Sequence, residues 1–305
     1  MSQPVLSIEQ VSKSYRNVNA VRDLSFHVDT GSIYGLLGPN GSGKTTTIRM
    51  ILGILLPDAG RISLWGQPPA DSARERVGYL PEERGLYPKM RVLEHLVFLA
   101  ELHGVHRPDA RRRAERWLSD TDAADWAQRR VDELSKGQQQ TVQLIGALIH
   151  DPSFVILDEP FTGLDPVNAR RLRDIVKRLA ADGVTILLST HRMDQVEKLC
   201  DAICLVSKGR DIVRGTIRDV KAQFGIHAVN VLLEDGLDAT EQAFADATEA
   251  IVSLERVDGN VHLVLRDGVD AQEVLARAVR AGRVSRFEIV EPSIDEIFVK
   301  AVSQP

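Results

Sequence analysis

Residues 38–45 read Gly38-Pro39-Asn40-Gly41-Ser42-Gly43-Lys44-Thr45, and no other segment constrains the fold of this chain as much. The pattern is Gly-x-x-x-x-Gly-Lys-Thr, the phosphate loop. The apolar run 32–37 before it predicts a buried strand, and residues 45–52 after it predict a helix. The glycines let successive backbone N–H groups turn inward as a nest for phosphate oxygens. The helix adds the positive end of its dipole at the same point. Lys44 supplies a cation for the outer phosphates, Thr45 a hydroxyl for Mg²⁺, and Thr46 closes the loop. The competing reading, a glycine-rich surface turn, does not account for the strand before the loop and the helix after it.

A second buried strand, 153–157, ends in the carboxylates Asp158 and Glu159. At such a strand end an aspartate holds Mg²⁺ through water, and a carboxylate directly after it can take a proton from an attacking water. The plain alternative is a solvated Asp-Glu pair opening a turn before Pro160. Leu172, Ile175, Val176 and Leu179 recur with helical spacing and predict an amphipathic helix that Gly183 closes. Another apolar strand follows at 184–189. Strands alternating with helices imply a parallel sheet with helices on its faces. Residues 5–11 and 18–28 alternate like strands, and an antiparallel β subdomain is expected there. Residues 92–150 are mostly helical, with Leu93, Leu96, Val97 and Ala100 on one face and Arg111-Arg112-Arg113 on a second helix.

The pattern changes after Phe224. Strands at 227–233, 250–257 and 261–266, helices at 239–247 and from Ala271 to Gly282, and a last strand at 285–290 give the order βαββαβ, with Asp258-Gly259-Asn260 as a hairpin turn. That order matches the ferredoxin-like arrangement. The expected domains are therefore 1–222, with a helical subdomain at about 88–150, and a small α+β accessory domain at 223–305. His227 and His262 are isolated and read as strand residues rather than ligands.

The net charge of −5 speaks against a dedicated nucleic-acid binder. Cys200 and Cys204 are the only cysteines; Cys204 falls in a strand-like run, so buried thiols in a reducing compartment are expected rather than a disulfide framework. The N-terminus lacks a basic region followed by an apolar run, and no apolar stretch approaches the roughly 18 residues needed to cross a bilayer.

Leu134-Ser135-Lys136-Gly137-Gln138 resembles the signature motif of ABC ATPases, and it precedes the carboxylate strand at that family's short spacing. Gly163-Leu164-Asp165 is similar to the family's D-loop, and His191 stands where its switch histidine stands. Tyr15 falls where an aromatic stacks on adenine. The resemblance covers about 5–220 and implies a P-loop ABC cassette. It also implies a head-to-tail homodimer with ATP and Mg²⁺ between subunits, where Ser135, Gly137 and Gln138 of one copy face the phosphates held by the other. Ser135 and Gln138 also form an S-x-x-Q capping box, a reading compatible with an anion site. Asp165 before Pro166 is a strong N-cap as well as a D-loop residue. Lys136 stands where the family more often has glycine.

One departure concerns Glu82, in Gly78-Tyr79-Leu80-Pro81-Glu82-Glu83, which aligns with the family's glutamine. As an oxygen donor it can still ligate Mg²⁺. The stretch Tyr79-Leu80-Pro81-Glu82-Glu83-Arg84-Gly85-Leu86-Tyr87 and the tail from Glu291 to Phe298 are similar to ATP-binding subunits of ABC-2-type exporters of sodium, drugs or antibiotics. The resemblance implies a cytoplasmic, peripheral ATPase subunit serving a separate membrane permease, which it contacts near 83–90. The alternatives are a soluble ABC ATPase acting on DNA or ribosomes, usually with two cassettes or a long coiled coil, and an importer ATPase with a β-rich C-terminal module.

Overall fold

The computed structural model describes residues 3–16, 18–69, 75–83, 85–224, 228–266 and 268–303; Arg84 and His227 lie outside them. In chain order the first elements are β1 (Leu6–Tyr15), β2 (Val18–Val28), β3 (Ile33–Leu37), α1 (Lys44–Ile51), β4 (Ala59–Leu64) and β5 (Val77–Leu80). Then come α2 (Val92–Leu102), α3 (Arg107–Asp120), α4 (Lys136–Leu148), β6 (Phe154–Asp158), α5 (Pro166–Ala181), β7 (Thr185–Thr190), a one-turn α6 (Met193–Val196), β8 (Ala202–Ser207) and β9 (Arg210–Thr216).

Every residue of β3, β6 and β7 is buried. Strands apolar on both faces must be covered on both faces, which selects the middle of a parallel sheet. They sit in a six-stranded sheet of order β5-β6-β7-β3-β8-β9, parallel except where β9 returns antiparallel to β8. β1 and β2 carry polar residues between buried ones and form a separate antiparallel sheet of order β2-β1-β4.

α2, α3 and α4 close on their own core. Ala100, Ala110 and Ala114 are fully buried and let the helices approach closely, while Leu96, Leu118, Val142 and Ile145 fill the space around them. Each such Leu or Ile contributes about 1.5–3 kcal/mol by leaving water. Arg111 of α3 pairs with Glu115 one turn on at 2.9 Å, and Arg113 with Asp151 beyond the helix at 2.7 Å. Cys200 and Cys204 are buried free thiols, and burial raises the pKa of both.

The chain divides into two compact units, Met1–Thr216 and Ile217–Pro305; the sequence-based boundary at 222 falls inside α7 (Ile217–Phe224). The second unit continues with β10 (Ala228–Leu233), α8 (Leu237–Phe244), β11 (Ile251–Val257), β12 (Asn260–Leu265), α9 (Ala271–Ala281), β13 (Val284–Val290) and α10 (Ile294–Ser303). Its sheet order is β11-β12-β10-β13, antiparallel throughout, the order a ferredoxin-like βαββαβ chain adopts. Asp258 (φ 47°) and Gly259 (φ 77°) both take the left-handed conformation that a two-residue hairpin requires. His262 Nδ1 shares a hydrogen bond with Asn230 Oδ1 at 2.8 Å on the neighbouring strand. Among the described residues no helix is long and apolar enough to cross a membrane.

Candidate functional site

The loop after β3 is shaped by what its glycines allow. A Cβ on Gly38 would stand 2.1 Å from the Val206 carbonyl oxygen, and one on Gly43 (φ 111°) 2.4 Å from that of Ala20. Only glycine fits at either point. The loop is propped from below, since Gly209 N–H donates to Ser42 O at 2.9 Å and Arg22 N–H to Gly209 O at 2.7 Å. The Lys44 ammonium folds back onto the loop, donating to Gly38 O at 2.6 Å and Pro39 O at 3.3 Å. Burial lowers its pKa, and the charges of Glu159 and Asp158 act against that.

Sheet register brings the remaining chemistry to this loop. Leu37 of β3 lies beside Thr190 of β7, and Asp158 of β6 beside Ser189. The residues following three adjacent strand ends therefore meet at one place, where the chain leaves the sheet's centre in both directions and ligands of open α/β sheets bind. Glu159 turns out of β6 at φ +49°, a left-handed conformation unusual for a non-glycine residue and found where a structure holds strain at a site. This bend aims Glu159 away from the strand direction of Asp158. Its carboxylate, 5% exposed, accepts from Thr190 Oγ1 at 3.1 Å and is bonded to His191 Nδ1 at 2.9 Å, with Lys44 Nζ 3.7 Å away. The histidine that the sequence singled out as switch-like is thus joined directly to the carboxylate.

Asp158 is 1% exposed, and neither carboxylate oxygen has a hydrogen-bond partner among the described residues. Burial raises its pKa. The hydroxyl of Ser42 is likewise buried without a partner. Lys44 and Glu159 face a cavity of about 600 Å³ whose wall also includes Tyr15, Asn40, Thr45 and Glu82; Asp158, Ser42 and His191 are not among its lining residues. Gly41, Gly43 and Thr46 also line it, together with Arg22 and Lys208, two cations to which no motif points. Lys208 sits at the β8–β9 turn, and only the three-dimensional fold carries that turn under the loop. Thr190 was equally absent from the sequence reading; its only signal is its place before His191.

Ser135, Gly137, Gln138 and Asp165 do not wall this cavity among the described residues. Ser135 caps α4, accepting from Gln138 N–H at 3.3 Å while Gln138 Oε1 accepts from Ser135 N–H at 2.9 Å. Gly137 leaves room for Asn168, whose Nδ2 would lie 2.7 Å from a Cβ there. Asn168 in turn donates to Asp165 Oδ2 at 2.5 Å, and Asp165 Oδ1 caps α5 through Val167 and Asn168 N–H. These bonds hold the Asp165 pKa down. Asn168 thus bridges the signature-like segment and the D-loop-like segment within one chain.

The family model described as ABC transporter matches residues 21–162, and one described as ATP-binding protein DrrA1-3-like, C-terminal domain, matches 215–302. The chain is 41% identical over 98% of both lengths to an uncharacterized ABC transporter ATP-binding protein, YhaQ, of Bacillus subtilis. It is 37% identical to Nod factor export ATP-binding protein I of Paraburkholderia xenovorans, over 98% of this chain and 97% of that one. Among solved structures it is similar to cbiO1 from Clostridium perfringens, part of the ABC transporter complex cbiONQ. There the TM-score is 0.66 at 27% identity, covering 73% of this chain and 92% of cbiO1.

Proposed function

Since this chain belongs to the ABC transporter family as an ATP-binding, ATP-hydrolysing cassette with a DrrA-like C-terminal domain, we propose that it drives export through a separate membrane permease. Likeness to a Nod factor export protein along nearly the whole chain supports the direction of transport. The observation that carries the chemistry is the meeting of Lys44, Glu159, Thr190 and His191 behind one nucleotide-sized cavity.

In this reading adenine stacks on the half-exposed Tyr15 at the cavity edge, and the phosphates lie in the loop 38–46. Lys44 exchanges its bonds to Gly38 O and Pro39 O for phosphate oxygens. Glu159 orients a water and takes its proton, while His191 and Thr190 hold that carboxylate in place. The unpaired, buried Asp158 fits a divalent cation, with Thr45 and Glu82 offering further oxygen donors; these residues would hold Mg²⁺, which when bound neutralises phosphate charge. Ser135, Gly137 and Gln138 are not among the residues that wall the chain's own cavity, which fits a head-to-tail dimer where they complete the site of a second copy, with Asp165 beside the junction. A cleft lined by Leu52, Val77, Pro81, Leu86, His95 and Leu99 suits a permease segment docking near 83–90, with the cassette peripheral on the cytoplasmic face.

The test is Glu159→Gln. Turnover should fall on the order of 10²–10⁴-fold, the usual worth of a positioned base, while ATP binding persists and a dimer accumulates with ATP in gel filtration. Brisk turnover by this variant removes Glu159 as the base.

A further inference from the structure

α4 carries two buried glutamines, Gln140 and Gln143, 7% and 6% exposed. Their spacing of three places them on one helix face. Gln140 Nε2 donates to Pro160 O at 3.2 Å, the carbonyl of the residue after Glu159. Gln143 Nε2 donates to Pro81 O at 3.1 Å and Glu83 O at 3.2 Å, the carbonyls on either side of Glu82. Burying a glutamine amide costs free energy unless its N–H groups are paired. Val142, Leu144 and Ile145 show that this stretch of helix accepts aliphatic residues, so the packing alone does not call for two amides. What the amides do is hold backbone, and the backbone they hold flanks two carboxylates of the site.

Neither residue lies within a strand, although β7 still holds Glu159 through Ser189 O, 2.9 Å from its N–H, and through Thr190 Oγ1 at its carboxylate. Glu159 leaves β6 in a left-handed bend, and Glu82 lies beyond the last residue of β5, Leu80. We propose that Gln140 and Gln143 are positioning residues that fasten the segments of Glu159 and Glu82 to the helix beginning at Ser135. Displacing that helix is then felt at both carboxylates of the same chain. Gln143 also forms part of the wall of the cleft that includes Pro81, His95 and Leu99, and its Oε1 is buried without a partner among the described residues. A protein segment seated in that cleft therefore touches the fastening itself. The inference rests on the reading of Glu159 and Glu82 given above.

Gln140→Met and Gln143→Met keep the side-chain length and remove the donors. In the full chain without nucleotide or metal, backbone hydrogen exchange should rise about fivefold, the equilibrium factor for one lost neutral hydrogen bond. Gln140→Met should raise it in 159–163 and Gln143→Met in 82–90, each leaving the other segment unchanged. Gln143→Met should also shift the Mg²⁺ concentration for half-maximal turnover several-fold at unchanged KM for ATP, and the shift should vanish in a Glu82→Gln background. Unchanged exchange in both segments, or a shift that persists beside Glu82→Gln, overturns the proposal. If a Met variant does not fold, Gln→Leu at the same position also removes the donor and is read the same way. If Glu82→Gln alone leaves the Mg²⁺ dependence unchanged, the metal-facing reading of Glu82 fails, while the exchange measurement still decides the fastening.

Discussion

At Gly43 two independent restrictions coincide: φ is +111°, and any Cβ would meet the Ala20 carbonyl oxygen at 2.4 Å. The neighbour is backbone, so no rotamer change relieves the contact. Gly43→Ala should cost about 1–3 kcal/mol of stability in a denaturant titration, the range for a residue forced into a disfavoured conformation, and should abolish nucleotide binding by fluorescence titration. Wild-type affinity in a folded Gly43→Ala protein would mean that the loop relaxes without losing its shape. The residue types at this loop were legible in the sequence because their chemistry is local: glycine for conformation, lysine for charge, threonine for a hydroxyl. Thr190, Arg22 and Lys208 were not, because an ordinary threonine, arginine or lysine acquires meaning only from what the fold places beside it.

At the scale of the element, α4 separates a structural from a chemical role for the same side chain. Ser135 caps this helix, and its loss should cost about 1 kcal/mol. Ser135→Asp preserves a capping acceptor but sets a negative charge where a partner's phosphate would lie. Thermal melting should therefore show Ser135→Ala destabilised and Ser135→Asp close to the parent. ATPase assays should show both impaired, Ser135→Asp the more severely. Full activity in Ser135→Asp would leave capping as the residue's whole role. The helix itself was readable from its capping box within a mostly helical stretch. Its two inward glutamines were not, because a pattern of residue types does not tell a buried amide bonded to distant carbonyls from one turned to solvent.

For the whole molecule, among the described residues every one that walls the nucleotide cavity lies at or before Lys208, and the unit containing them ends at Thr216. The second unit has a core of its own, built from Val229, Val231, Phe244, Val261, Leu263 and Val274. A chain ending at Thr216 should thus keep nucleotide affinity within a few-fold of the full chain, measured by titration; loss of binding from a folded truncation would show that the site needs the second unit. The sequence alone determined the α/β class, the phosphate loop, the carboxylate pair and the ferredoxin-like order of the C-terminal strands, since each follows from local periodicity and from residues adjacent in the chain. Only the tertiary structure decided that β7 stands between β3 and β6, that Glu159 bends back to Thr190 and His191, and that Arg22 and Lys208 join the wall of the cavity. Strand order and side-chain meeting points are set by packing between distant segments, and such contacts leave no periodic trace in the chain that makes them.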